Sequence, residues 1–270
     1  GYNLVFPEIL PKEARTINIV QGADMALAMR RDYKLVLNDF HTDPEQNIGV
    51  LTGLNGSGKT SAEQFVGNTD VYGLAGMFVI GDNGTRISMV DYICPIFNLG
   101  IKGDTPDGEY GAILDAVKML FTGGNQGSNS RNIGQFPYPA ISPYSLLLMD
   151  QFGGGKTDNL EAIRVNELVL SVVHMIGATT LMTTHIHELA DIVESGKYPG
   201  AFPAAYALTG EKPNIESTFV LERPSHQPSH GDQVAHRHNF TEKALLSAVM
   251  ANLQAGTLPR EHTRIGAGIN

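Results

Sequence analysis

Apolar and polar residues follow two different periods along this chain. Thr16-Ile-Asn-Ile-Val20 and Lys34-Leu-Val-Leu-Asn38 alternate at every second position, which predicts two early strands at a sheet margin. Ile48-Gly-Val-Leu-Thr52 and Ser145-Leu-Leu-Leu-Met149 are continuous apolar runs, the pattern of strands buried on both faces. Residues 178–184 read as a third such strand. Residues 86–97, rich in β-branched and aromatic side chains, read as another. Helical spacing appears in 109–121, where Ile113, Leu114, Val117 and Leu120 share a face behind the cap-and-proline pair Thr105-Pro106. Residues 160–176 are apolar nearly all round, as in a helix packed under a sheet, and 187–194 form a shorter helix.

Strands that alternate with helices imply an α/β fold whose mainly parallel sheet is covered on both faces. Residues 122–144 hold many Gly, Asn, Ser and Pro and read as a loop. After Gly196 the pattern changes to short strand-like pieces at 201–208 and 217–221, a polar histidine-rich loop and a last helix at 242–253. The expected organisation is a core over 1–196 and a C-terminal extension over 197–270 packed on the same domain.

Composition narrows the class. Of 270 residues 42% are apolar and 17% charged, a globular mix. No run approaches the ~18 continuous apolar residues of a membrane helix. A formal charge of −9 argues against a broad basic face for phosphate backbones. One cysteine, Cys94, excludes an internal disulfide and a cysteine-built metal site, and suits a reducing compartment. No basic stretch followed by an apolar block opens the chain. The expected location is cytoplasmic, or the nucleoid or nucleus with DNA. The start at Gly-Tyr-Asn rather than Met suggests a fragment.

The strongest local signal is Gly53-Leu-Asn-Gly-Ser-Gly58-Lys59-Thr60. It matches G-x-x-x-x-G-K-[ST], the Walker A phosphate loop (P-loop), at every fixed position, between a predicted strand and a predicted helix. Glycines let backbone N–H groups converge on phosphate oxygens, and the helix behind adds the positive end of its dipole. The candidate nucleotide-binding residues are Gly53, Asn55, Gly56, Ser57, Gly58, Lys59, Thr60 and Ser61. Lys59 would neutralise β- and γ-phosphate charge, and the Thr60 hydroxyl would ligate Mg²⁺. The apolar strand 145–149 ends in Asp150, the expected second Mg²⁺ ligand. Thr183-Thr184-His185 closes the next strand on the same rim. There His185 could hydrogen-bond the γ-phosphate or the attacking water; the alternative is a cap on the following helix. The order of the three motifs favours the sensor role. ATP and Mg²⁺ are the expected cofactors.

The succession Asn38-Asp39, Thr52 to Thr60, Ser145 to Asp150, and Thr184-His-Ile-His-Glu-Leu189 resembles the ATPase domain of MutS, the DNA mismatch-recognition family of ABC-type ATPases. Asn55 and the Thr-His-x-x-Glu-Leu string are its most specific parts, and the similarity runs from about residue 21 to residue 194. The resemblance implies an ABC-type P-loop NTPase fold: a mainly parallel central sheet flanked by helices, an antiparallel N-terminal margin and a small C-terminal helical extension. It further implies a hydrolase that pairs as a homodimer around a composite ATP site. DNA would be contacted by other domains of the parent protein rather than by this chain, and no membrane is involved.

Departures from the family pattern bear on activity. Gln151 occupies the position of the glutamate that follows the Walker B aspartate, where a carboxylate would accept a proton from water. With His185 it makes the expected catalytic pair, one in which ATP binds while hydrolysis slows. The family's Gly-Arg-Gly-Thr segment is here Gly153-Gly154-Gly155-Lys156, without the arginine. The trans-acting signature falls near Asp107-Gly108-Glu109, whose acids would repel a γ-phosphate. The expected function is an ATP-binding, weakly hydrolysing domain whose nucleotide-driven dimerisation serves DNA mismatch repair or a related DNA transaction. A non-catalytic ATP-gated dimerisation module and another ABC-type ATPase are the alternatives. His226, His230, His236 and His238 cluster without acidic or cysteine partners at zinc spacing, as in a solvated loop.

Overall fold

The computed structural model describes residues 2–30, 35–53, 56–96, 140–150, 159–209 and 216–223, with single helical positions at 118, 121 and 247. The expected helices 109–121 and 242–253 otherwise lie outside the described residues, as do most of the loop 122–144, the segment 151–156 and the histidine cluster. Residues 1–207 with 217–229 make one compact unit, and 208–216 with 230–270 a second.

Six strands form the central sheet. Their order across it is β12 (Glu216–Glu222), β11 (Ala201–Thr209), β5 (Ile48–Thr52), β10 (Thr179–Thr184), β9 (Ser145–Asp150) and β8 (Tyr92–Ile96). From β11 to β8 every neighbouring pair is parallel. β5 and β10 are the middle of this sheet and are buried at every position. Pleating divides β9 between two cores. Leu146 and Leu148 pack with Ala62, Phe65 and Val66 of α2 (Lys59–Leu74), while Leu147 and Met149 face the other side. There they meet Ala162, Val169, Leu170 and Val173 of α3 (Asn159–Ile176) and Leu189 and Val193 of α4 (His187–Glu194). Each such Leu contributes roughly 1.5–3 kcal/mol by burial.

The N-terminal strands make smaller sheets of their own. One pairs β1 (Leu4–Val5) with β6 (Val79–Ile80) antiparallel. The other has the order β2 (Glu8–Leu10), β7 (Arg86–Ser88), β3 (Ile17–Gly22), β4 (Asn38–Thr42). Two expectations shift here. The strand expected at 34–38 begins only at Asn38, which pairs with Gly22 across a bulge; Leu35 and Val36 instead line a cleft described below. The single strand expected at 86–97 is two, β7 and β8, in different sheets. The backbone crosses between ladders where Met89 N–H donates to Leu10 O at 3.0 Å and Asp91 N–H to Tyr144 O at 2.9 Å. The pieces after Gly196 are strands, and parallel pairing of Ala201 with Ile48 and Ala205 with Thr52 seats β11 directly beside β5.

Candidate functional site

Parallel register carries the site. Thr184 stands opposite Thr52, and Thr183 opposite both Leu51 and Asp150, so three strands end on one rim. From β5 the chain turns through the glycine-rich loop into α2. Gly58 caps that helix at φ +99°, in the left-handed region that a side chain resists. A Cβ there would also crowd the Phe219 ring, at 3.1 Å.

Lys59 is buried, and its ammonium donates to Gly53 O at 2.9 Å across the loop. Burial lowers its pKa, and the nearby Asp150 carboxylate opposes that shift. Asp150 uses both oxygens: Thr60 Oγ1 donates to Oδ2 at 2.9 Å and Thr183 Oγ1 to Oδ1 at 2.9 Å. The two expected Mg²⁺ ligands, on α2 and β9, are therefore in direct contact. His185 is half-buried beyond the end of β10, its Nδ1 enclosed without a hydrogen-bond partner. Burial, then the neighbouring Lys59 charge, lowers its pKa, so the imidazole is neutral at pH 7. Ser57 is buried, Gly56 exposed and Ser61 half-buried beside Gly58. Asn55 and Gln151 lie outside the described residues.

Three features of this site have little or no local signature in the sequence. Glu63, one turn after Lys59, is fully buried and accepts the Thr183 N–H at 3.2 Å. Burial, then the Asp150 charge, pushes its pKa up to about 9, so it holds a proton at pH 7. Its place four residues after Lys59 on a helix was the available signal. Second, a mainly apolar cleft opens beside Gly58 and Ser61, lined by Leu27 of α1 (Met25–Ala28), Leu35, Val36, Phe65 and Phe219. Buried Asp24 borders it, accepting Ala26 N–H at 3.0 Å and Asn68 Nδ2 at 3.0 Å. Third, Tyr206 and Ser217 reach the loop from β11 and β12. The cleft and these contacts join distant segments, so no local pattern announces them.

Hard oxygen donors from Thr60 and Asp150, beside a buried ammonium and a helix N-terminus, suit a magnesium-bound polyphosphate. Among the described residues no group of three or more His, Cys, Asp or Glu could hold a metal by itself. No helix among the described residues is long and apolar enough to cross a membrane.

A parallel sheet with a glycine-rich loop leading from β5 into α2 and an acid ending β9 is compatible with the P-loop NTPase fold. No family model matches the chain. Known proteins do: it is 28% identical to the DNA mismatch repair protein MutS of Chlorobium chlorochromatii over 74% of its length and 21% of that protein's. It is 26% identical to MutS of Chlorobium phaeobacteroides over 96% of its length and 27% of that protein's. To the endonuclease MutS2 of Ruminiclostridium cellulolyticum the identity is 29%, over 70% of this chain and 21% of that one. At modest identity but over most of its length, the chain is similar to proteins of the MutS family. It spans about a fifth to a quarter of the length of these relatives.

Proposed function

We propose that this chain binds Mg²⁺–ATP at the loop and turns it over slowly, as the nucleotide-driven dimerisation domain of a protein acting in DNA mismatch repair or a related DNA transaction. The observation that carries the reading is the 2.9 Å contact between Thr60 and Asp150, with Lys59 buried at the same rim. Lys59 and the loop amides hold the phosphates, and Thr60 and Asp150 hold the ion. Bound there, Mg²⁺ would neutralise charge on the terminal phosphates. The neutral imidazole of His185 can accept or donate one hydrogen bond at the γ-phosphate or the attacking water. The cleft lined by Leu35, Phe65 and Phe219 suits a flat heteroaromatic base, and Asp24 at its border can accept from an amino group.

In the sequence Gln151 follows Asp150 at the position where the resemblance implies a carboxylate, and an amide can orient water without accepting its proton. DNA contact falls to other regions of a longer parent, in keeping with the net charge of −9. Calorimetry with Mg²⁺ and a non-cleavable ATP analogue tests the binding: heat is expected with this chain and none with Lys59→Ala. Equal heats from the two proteins sink the reading.

The glutamine also favours a second reading, an ATP-gated dimerisation module in which hydrolysis plays no part. A large gain in turnover from Gln151→Glu marks a slowed enzyme; no gain marks the module.

A further inference from the structure

The backbone of the phosphate loop is held by groups 148 and 160 positions further along the chain. Tyr206 on β11 donates its hydroxyl to Gly58 O at 3.1 Å, and Ser217 near the start of β12 donates to Ser57 O at 3.2 Å. Gly58 O also receives Ala62 N–H at 3.0 Å, the first bond of α2. Ser217 Oγ in turn accepts Phe219 N–H at 3.1 Å. The Phe219 ring meets Tyr206 edge-on, with centroids 6.3 Å apart, over the open face of Gly58. Asn38 of β4 braces β12: its Nδ2 donates to Phe219 O at 3.1 Å, and its Oδ1 accepts Leu221 N–H at 2.7 Å. Phe219 is held at φ +59°, a conformation phenylalanine keeps only where its surroundings impose it.

In a trans peptide the C=O and the following N–H point to opposite sides. Drawing the Ser57 and Gly58 carbonyls toward β11 and β12 therefore turns the Gly58 and Lys59 amides the other way. We propose that Tyr206 and Ser217 are positioning residues for phosphate binding, which preset these two amides by holding the carbonyls of their peptide units. The inference rests on the reading of this loop as a phosphate cradle. Donors fixed beforehand need no reorganisation when the anion arrives, and that is where affinity is gained.

The test compares fluorescent mant-ADP, which carries a β-phosphate, with mant-AMP, which does not, on the whole chain with Mg²⁺. Losing a neutral hydrogen bond corresponds to about a 2–10-fold change in affinity. Tyr206→Phe and Ser217→Ala should each weaken mant-ADP by that factor, and their combination by about the product, with mant-AMP changing less than about 2-fold. Ser217→Thr, which keeps the hydroxyl, should restore mant-ADP affinity. Loss of melting temperature with an unchanged ADP-to-AMP ratio would mean a structural role only and overturns the proposal. So does a double variant that binds both nucleotides like the parent. If the unmutated chain binds neither, the cradle reading itself fails and this inference goes with it.

Discussion

Asp70 offers a quantitative handle on the fold that carries the site. It is fully buried on α2, and neither carboxyl oxygen has a hydrogen-bond partner. Burial raises its pKa from 3.8 to about 8. Below pH 4 both folded and unfolded chains hold the proton, and the fold bears no penalty. Between pH 4 and 8 only the unfolded chain has released it, so stability falls as pH rises, by about 1.4 kcal/mol per unit. From pH 5 to 7 this one carboxyl removes about 3 kcal/mol, a large share of the ~5–15 kcal/mol of a typical domain. Glu63, pushed up to about 9, adds a second proton with the same sign. Asp70→Asn keeps the shape and deletes one of the two titrations. Urea unfolding at half-unit steps from pH 5 to 8 should give the variant a stability slope shallower than the parent's by about 1.4 kcal/mol per unit. His185, whose lowered pKa acts in the opposite direction, is common to both proteins and cancels. Parallel curves for parent and variant would refute the argument.

Other expectations follow from single contacts. A Cβ on Gly73 would stand 2.6 Å from Ile87 Cδ1 and 2.7 Å from Pro7 Cγ, so Gly73→Ala should destabilise by about 1–3 kcal/mol in chemical unfolding despite better helix propensity. Thr183→Val removes the donor to Asp150 Oδ1 and should weaken Mg²⁺–nucleotide binding about tenfold by calorimetry, with the melting point little changed. Asn38→Ala releases both braces on β12 and should cost about 1–3 kcal/mol in thermal or urea unfolding. Since the His185 pKa is lowered, turnover measured from pH 7 to 9 should show no inflection from this imidazole, and any such limb lies on the acid side.

What could be anticipated from residue order followed the strength of the local signal. β5 and β9 were legible because strands buried on both faces are continuous apolar runs, and α3 because its apolar surface is long. The meeting of Thr60 with Asp150 followed from two strands ending together in a parallel sheet. The division of 86–97 was hidden, since nothing in Met89-Val-Asp91 marks a change of sheet; the switch is made by bonds to Leu10 and Tyr144. The Asn38 brace, the Tyr206 and Ser217 contacts and the cleft were equally hidden. Each depends on chain closure over more than a hundred residues, which local periodicity does not encode.

The seat of β11 beside β5 has a bearing on how this domain can be cut or spliced. With β11 in place, the strand that feeds the loop has partners on both sides. Without it, the wholly buried run Ile48–Thr52 would become an edge, offering one bare row of amides and carbonyls to any other extended chain. A piece ended before residue 201 would thus swap a shielded interior ladder for a self-adhesive border, and soluble fragments should require the returning strand.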